Sequence, residues 1–448
     1  MYPEYVAAAE GWLHPDVRFP VLVRSDAEGL ARDDVWAAGG ELPPPTLLPA
    51  PVPSRAGGPV GEVLAGVARG EEPGVDELAV LLAARGPEVT RVAEVADDLR
   101  REIVGDVVTF VRNRNINYTN ICTFKCRFCA FSKGPLSLNL RGDPYLLDLE
   151  EIQRRVAEAV ELGATEVCLQ GGIHPDFDGD YYLGVIRAVK EAAPDVHVHG
   201  FSALEVTEGA RRLGVPLREY LVELKGAGLS TLPGTAAEIL DDEVRAVLCP
   251  DKVDTEQWLE THRVAHSVGL RSNVTIMFGH VERPVHVARH LVRTRDLQKE
   301  TRGFTELVPL PFVHMASPIF LQHRARPGPT FREALLVHSV GRIAYRGWID
   351  NVQVSWPKLG VEGTRQVLRA GANDLGGTLM DENISRAAGS RHGQELDDDG
   401  FRDILEPLGR SLEQRTTLYG RIRTRGRRLR PPGEQPVVLL TPRGAETP

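Results

Sequence analysis

Long apolar runs are missing from this chain of 448 residues. No stretch reaches the roughly 18–20 uninterrupted apolar residues that a membrane span needs, and the opening MYPEYVAAAEGW lacks the basic-then-apolar plan of a signal peptide. A cytoplasmic protein with no membrane partner is the expectation. Cysteine is scarce as well: five residues, at 122, 126, 129, 168 and 249, exclude a disulfide framework as the organising device. Basic charge is not in excess, since 53 Lys and Arg face 62 Asp and Glu for a net charge of -9, and that argues against a nucleic-acid partner. No internal repeat is present. What remains is ordinary globular material, 42% hydrophobic and 26% charged, long enough for one large enzyme domain with additions or for two to three smaller ones.

The first 58 residues carry two aromatic-bearing stretches and then a proline-rich connector, ELPPPTLLPAPVPS, whose clustered prolines block helix and favour an extended chain. Residues 59–105 repeat apolar side chains at helical spacing and predict two or three amphipathic helices. From 106 to 390, short β-branched runs alternate with helical patterns, which is the rhythm of a parallel α/β domain. Eight strand-like runs fall at 114–119, 165–170, 196–201, 229–234, 271–277, 303–309, 350–356 and 372–377. In DLEEIQRRVAEAVELG, Asp148 is placed to cap a helix, with Glu151 in capping-box position and Gly163 as its stop. Eight β/α units over some 270 residues predict a closed (β/α)8 barrel of TIM type, with a doubly wound open sheet as the rival. Residues 391–448 read as a helix running into Arg421, Arg423, Arg425, Arg427, Arg428 and Arg430, a solvated basic tail.

Polar residues gather at the carboxyl ends of these runs, where barrel enzymes build their sites. Glu238, His280, Glu282, His314, Lys358, Asn373 and Asp374 are candidates on position alone. The strongest feature is INYTNICTFKCRFCAFSKG, in which Cys122, Cys126 and Cys129 fall within eight residues. Three ligands are too few for a structural zinc site, which closes its tetrahedron with four. A 4Fe-4S cluster on three thiolates keeps one iron open for a substrate or cofactor. His197 and His199 share one strand face and read as a hydrogen-bonded barrel interior, and Cys168 and Cys249 as inert core or cap residues.

The cysteine spacing on a loop after a first strand resembles the radical S-adenosylmethionine (SAM) enzymes. That resemblance implies that the open iron anchors SAM, and that one-electron reduction yields methionine and a 5′-deoxyadenosyl radical. It also implies that Phe128 packs near the adenine and that Gly171 and Gly172 bind the amino group. Ile173 stands where the family usually has an acidic residue after this pair, so the match there is partial. Ser202 and Glu205 either contact the methionine or ribose part of SAM or cap a helix.

A narrower resemblance rests on RNRNINYTNICTFKCRFCAFSKG, LSTLPGTAAEILDDEVRAVLCPDK, NVTIMFGHVE, GFTELVPLPFVHMASPI, VQVSWPKLG and GANDLGGTLMDENISRAAG, which span residues 112–389. Together they resemble subunit 2 of 7,8-didemethyl-8-hydroxy-5-deazariboflavin (FO) synthase. The resemblance implies cleavage of the Cα–Cβ bond of L-tyrosine and transfer of its 4-hydroxybenzyl fragment to 5-amino-6-(D-ribitylamino)uracil. It further implies a one-electron reductant and FO synthase subunit 1 as functional partner. Radical SAM enzymes of the futalosine route to menaquinone share the cysteine loop and are the alternative, with a zinc-holding, non-catalytic protein as the alternative of another class. MYPEYVAAAEGWLHPDVRFPVLVRSDAEGLARDDVWAAGG resembles the extreme C-terminus of subunit 1, so the chain is expected to be the second half of a split or truncated fusion, unable to make the finished deazaflavin alone.

Overall fold

The computed structural model describes residues 6, 8–48, 57–133 and 143–422. The arginines from Arg423 onward, and the connector from 49 to 56, lie outside the described residues. The strands are β1 (Val107–Val111), β2 (Asn113–Ile116), β3 (Glu166–Leu169), β4 (His197–Gly200), β5 (Thr231–Leu232), β6 (Arg271–Phe278), β7 (Phe304–Pro311), β8 (Asp374–Gly377) and β9 (Ser411–Gln414). β2 to β7 lie side by side in chain order, every pairing parallel.

Beyond β7 the ring continues through single bridges. Val352 pairs with Leu307 and Gln353 with Asp374. β8 pairs with β1, and its continuation returns to the start of the sheet where Asn115 N donates to Leu379 O at 2.8 Å. Eight staves thus close into the expected barrel, with helices between them. The run at 350–356 contributes two bridging residues rather than a full strand. One reason is that the Asn373 side chain takes the Val352 N–H (2.9 Å); another is that Trp356 already opens the helix Trp356–Leu368. The stave at 229–234 is likewise cut to Thr231–Leu232.

Inside the ring the side chains follow the period of two that a pleated strand imposes. Glu166 and Cys168, then Asn273, Thr275 and Met277, then Glu306, Val308 and Leu310 face the interior. The polar members of each series come first, so the amino end of the barrel is polar and the carboxyl end more apolar. Cys168 faces this interior instead of disappearing into a core, whereas Cys249 is buried at the end of the helix Asp242–Leu248.

Helix signals behave as their chemistry requires. Asp148 caps Leu149–Glu161 by accepting from Glu151 N at 2.7 Å, and Gly163 follows with φ +87. The return half of that capping box does not form, because the Glu151 carboxylate is taken by Arg154 and Arg155. Among the described residues two short helices, Ala9–Trp12 and Pro15–Leu22, come first, and three more, Gly58–Ala68, Val75–Leu82 and Pro87–Val104, lead into the barrel. The segment before these three is seated on the barrel: Trp36 is buried edge-on against Phe331, Asp26 pairs with Arg332 at 2.9 Å, and Leu47 N donates to Gln366 at 2.7 Å. At the other end, the helix Asp398–Leu405 stops at Pro407 and Gly409, the latter at φ +63, and does not run on to Arg421. The chain turns into β9, which pairs in parallel with β1. Among the described residues no helix is long and apolar enough to cross a membrane.

Candidate active site

The loop after β2 carries the three cysteines and is anchored to several parts of the barrel. Thr123 N donates to Ile173 O (2.9 Å), Arg127 N to Leu248 O (2.8 Å) and Lys125 N to the Asp251 carboxylate (2.8 Å). Two sulfurs receive backbone N–H groups: Ile173 N lies 3.3 Å from Cys122 Sγ and Ser132 N 3.3 Å from Cys129 Sγ. Burial pushes the Cys126 and Cys129 thiols up, so thiolates there require a positive partner such as a metal. Among the described residues, Asp241, Glu243 and His286 are the three His, Cys, Asp or Glu side chains whose ligand atoms all come within 4.8 Å of one another. Three thiols on one short loop leave a structural zinc one ligand short of its closed tetrahedron, whereas a 4Fe-4S cluster on three thiolates keeps one iron open.

Gly171 and Gly172 lie against this loop. A Cβ on Gly171 would stand 2.3 Å from the Tyr118 ring, and one on Gly172 2.2 Å from Ile121 O, so only glycine permits the approach. Ser202 and Glu205 form a reciprocal capping box at the start of Ala203–Leu213. The same carboxylate accepts from the Tyr118 hydroxyl and from Gly171 N at 3.2 Å. Glu205 thus fixes the backbone of the glycine pair, and burial raises its carboxyl above the usual range.

A cavity of about 410 Å³ opens below the cysteines. Cys122, Cys126, Cys129, Phe128, Gly171, Gly172, Ser202 and Glu205 all line it, and so do Glu238 and Lys358. Glu238 is paired with Lys252 at 2.8 Å, and the ammonium stands 5.5 Å above the centre of the Phe128 ring. Burial works against that ammonium, yet the Glu238 carboxylate holds it above the ordinary lysine range. Lys358 Nζ donates to Ser385 Oγ at 2.5 Å, and burial lowers its pKa.

His280, His314, Glu282, Asn373 and Asp374 do not line the cavity. His280 is fully buried, its ring bonded to Met277 O and beside Glu282, which in turn pairs with Arg326 at 2.8 Å. His314 packs edge-on against Phe320, and burial pulls its pKa down to about 4. Asn373 holds Arg342 and the Val352 N–H. Asp374 is the bidentate partner of Arg415. Position after a strand does not distinguish an inward side chain from one that ties the loop to its neighbours.

Several lining residues carried no sequence signal. Thr235 Oγ1 is buried with no hydrogen-bond partner among the described residues. Arg415 and Thr417 come from the chain after β9, and Pro407 with Gly409 was the hint that the last helix ends before them.

Residues 116–291 match the radical SAM superfamily and residues 301–425 the CofH/MqnC C-terminal region. The chain is 47% identical over 347 residues to a protein of Methanopyrus kandleri named 5-amino-6-(D-ribitylamino)uracil--L-tyrosine 4-hydroxyphenyl transferase, covering 77% of this chain and 93% of that one. It is 52% identical over 349 residues to the FO synthase of Nocardia farcinica, covering 78% of this chain and 40% of that protein, so it spans less than half of that relative's length. Among solved structures, the fold is shared with the FeFe-hydrogenase maturase HydG from Carboxydothermus hydrogenoformans, at TM-score 0.62 and 15% identity over 80% of each chain. The barrel, the three-cysteine loop and these matches agree that the chain belongs to the radical SAM superfamily, in the family of the 5-amino-6-(D-ribitylamino)uracil--L-tyrosine 4-hydroxyphenyl transferases.

Proposed function

We propose that this chain joins the 4-hydroxybenzyl fragment of L-tyrosine to 5-amino-6-(D-ribitylamino)uracil, a step of FO biosynthesis. The observation that carries the reading is one continuous cavity, with three thiols at its carboxyl end and a polar barrel interior below. Cys122, Cys126 and Cys129 would hold a 4Fe-4S cluster, while Phe128, Gly171 and Gly172, with Ser202 and Glu205 behind them, would receive SAM. When bound, the reduced cluster and SAM supply a one-electron cleavage that generates a hydrogen-abstracting 5′-deoxyadenosyl group.

The protein's own part is containment and placement. Apolar side chains at Val308, Leu310 and Phe312 line the wall and keep water from the reacting centre. Lys358, half-buried and bonded to one serine hydroxyl, is a suitable partner for an amino-acid carboxylate. Glu238, tied to Lys252, braces the cysteine loop rather than offering a free base. A one-electron reductant is required, and a subunit 1 activity is needed to complete the deazaflavin.

The test is mass spectrometry of products from anaerobically reconstituted, reduced protein given SAM, L-tyrosine and 5-amino-6-(D-ribitylamino)uracil. The expected result is a 4-hydroxybenzyl adduct of the pyrimidine formed together with 5′-deoxyadenosine. Release of 5′-deoxyadenosine without adduct would move the substrate assignment to the menaquinone alternative, tested with a chorismate-derived enol ether and inosine. Zinc without sulfide in the purified protein would sink the enzyme reading altogether.

A further inference from the structure

The cavity continues below the reacting region to a floor made by the opposite end of the barrel. There the chain after β9 closes the ring: Arg415 Nε and Nη2 grip Asp374 at 2.6 and 2.9 Å, Thr417 Oγ1 donates to Glu166 at 2.5 Å, and the Tyr419 hydroxyl donates to Glu306 at 2.5 Å. Glu166, Glu306, Arg415 and Thr417 all line the cavity, so this closure is also a wall of the substrate space.

Two features of the floor point to a ligand. The first is unused hydrogen-bonding capacity. The Gln353 side-chain amide lines the cavity and makes no hydrogen bond among the described residues. His199 Nδ1 lies 2.7 Å from Thr231 Oγ1, an oxygen that also stands 2.8 Å from His197 Nε2, and His199, which lines the cavity, has no partner for its Nε2 among the described residues. Polar groups kept in an interior without partners cost stability unless something else satisfies them. The second feature is charge. Glu166 and Glu306 line the floor beside the one guanidinium of Arg415, which is already engaged by Asp374 behind the wall, so another carboxylate would be repelled there, whereas hydroxyls can donate to the free lone pairs.

We propose that this floor is the subsite for the polyol chain of the pyrimidine substrate, bound through Gln353, His199 and the carboxylates of Glu166 and Glu306, with the segment Ser411–Ile422 as its closing wall. The assignment rests on the functional reading above and adds an orientation to it. The hydroxyl-rich chain points to the amino end of the barrel, the pyrimidine ring lies toward the cysteine loop, and tyrosine occupies the cysteine end, where Lys358 meets its carboxylate.

The experiment is steady-state kinetics on the reconstituted full chain with two variants, Gln353→Met and His199→Phe. The Gln353 side chain has no hydrogen bond to lose among the described residues, and its backbone bond to Leu307 O survives substitution, so Gln353→Met should fold as the wild type does. In both variants KM for 5-amino-6-(D-ribitylamino)uracil should rise about tenfold, the effect of losing one well-made hydrogen bond. KM for tyrosine should stay within about twofold, since no floor contact reaches it. With 5,6-diaminouracil, which lacks the polyol, Gln353→Met and the wild type should be equally poor. An unchanged KM for the ribityl substrate in both variants would overturn the floor assignment, as would a Gln353→Met loss of the same size against 5,6-diaminouracil. A wild type that forms no adduct at all fails the functional reading instead, so the two failures are told apart.

Discussion

Lys252 and Glu238 show how much a single residue near the cysteines carries. Both side chains are about nine-tenths buried, at 8% and 11% exposure, and each is the other's main compensation. A buried pair of this kind contributes little beyond what an apolar pair would, yet removing one partner strands a charge. Glu238→Gln is therefore expected to cost about 3–5 kcal/mol in anaerobic denaturant unfolding, while Glu238→Gln combined with Lys252→Met recovers most of the loss. A single variant within about 1 kcal/mol of the wild type would mean that the pair is solvated. The cysteines separate in the same way. Cys122→Ala, Cys126→Ala and Cys129→Ala should each lose bound iron and sulfide together with turnover, whereas Cys168→Ala, on the barrel wall below them, should keep the iron and sulfide. Turnover in any of the first three would contradict the assignment.

At the scale of elements, the chain after β9 converts a surface strand into part of the interior. Arg415 is the counterion of both Asp374 and Glu306, and its guanidinium also stacks 4.0 Å from the centre of the Tyr419 ring. Arg415→Ala leaves two buried carboxylates against each other and should lower stability by about 3–5 kcal/mol. Arg415→Lys should recover only part of this, because an ammonium cannot copy the two parallel bonds to Asp374. Equal denaturation midpoints for Arg415→Lys and the wild type would remove that argument. This element was also the least legible in the sequence. A four-residue strand of mixed polarity, SLEQ, has neither the alternation nor the β-branched enrichment that reveals a strand, and its pairing partner lies some 300 residues earlier. The run VVTFV of β1 is a better strand signal, yet it abuts β2 with one residue between them and no turn, and the first stave expected from the sequence, 114–119, leaves it out. By contrast, the cysteine loop, the Asp148 cap and the core staves are local patterns, and local patterns are what a single sequence displays. The same limit explains the candidate residues: Glu238 and Lys358 were placed after strands and do line the cavity, while His280 and His314, chosen on the same ground, face the packing between loop and helix.

The molecule as a whole buries an unusual set of neutral histidines, and this sets its response to acid. Burial pulls His197, His266, His314 and His338 down to about 4 and His290 to about 3, from an ordinary value of 6.5. They sit in different places, in the barrel wall, in three outer helices and in a loop, so no single site accounts for the effect. Between those folded values and 6.5 the unfolded chain binds protons that the folded chain refuses. Stability therefore rises with pH across that window and is lost as pH falls from about 6.5 toward 4, by about 1.4 kcal/mol per pH unit for each histidine acting in full. Salt-bridged carboxylates such as Glu151, held near 2 by Arg154 and Arg155, add their loss only at lower pH. Urea unfolding of the anaerobic protein at about pH 7.5 and about pH 5 should show a midpoint that drops steeply, and His338→Gln should make the drop shallower by one proton's worth. His338 suits this comparison because its ring gives one hydrogen bond, Nδ1 to Ala334 O at 2.7 Å, leaves Nε2 buried without a partner among the described residues, and lies in a helix away from the cavity. A midpoint that stays flat between the two pH values would mean that the folded chain protonates these rings as readily as the unfolded one, and that the interior around them admits water.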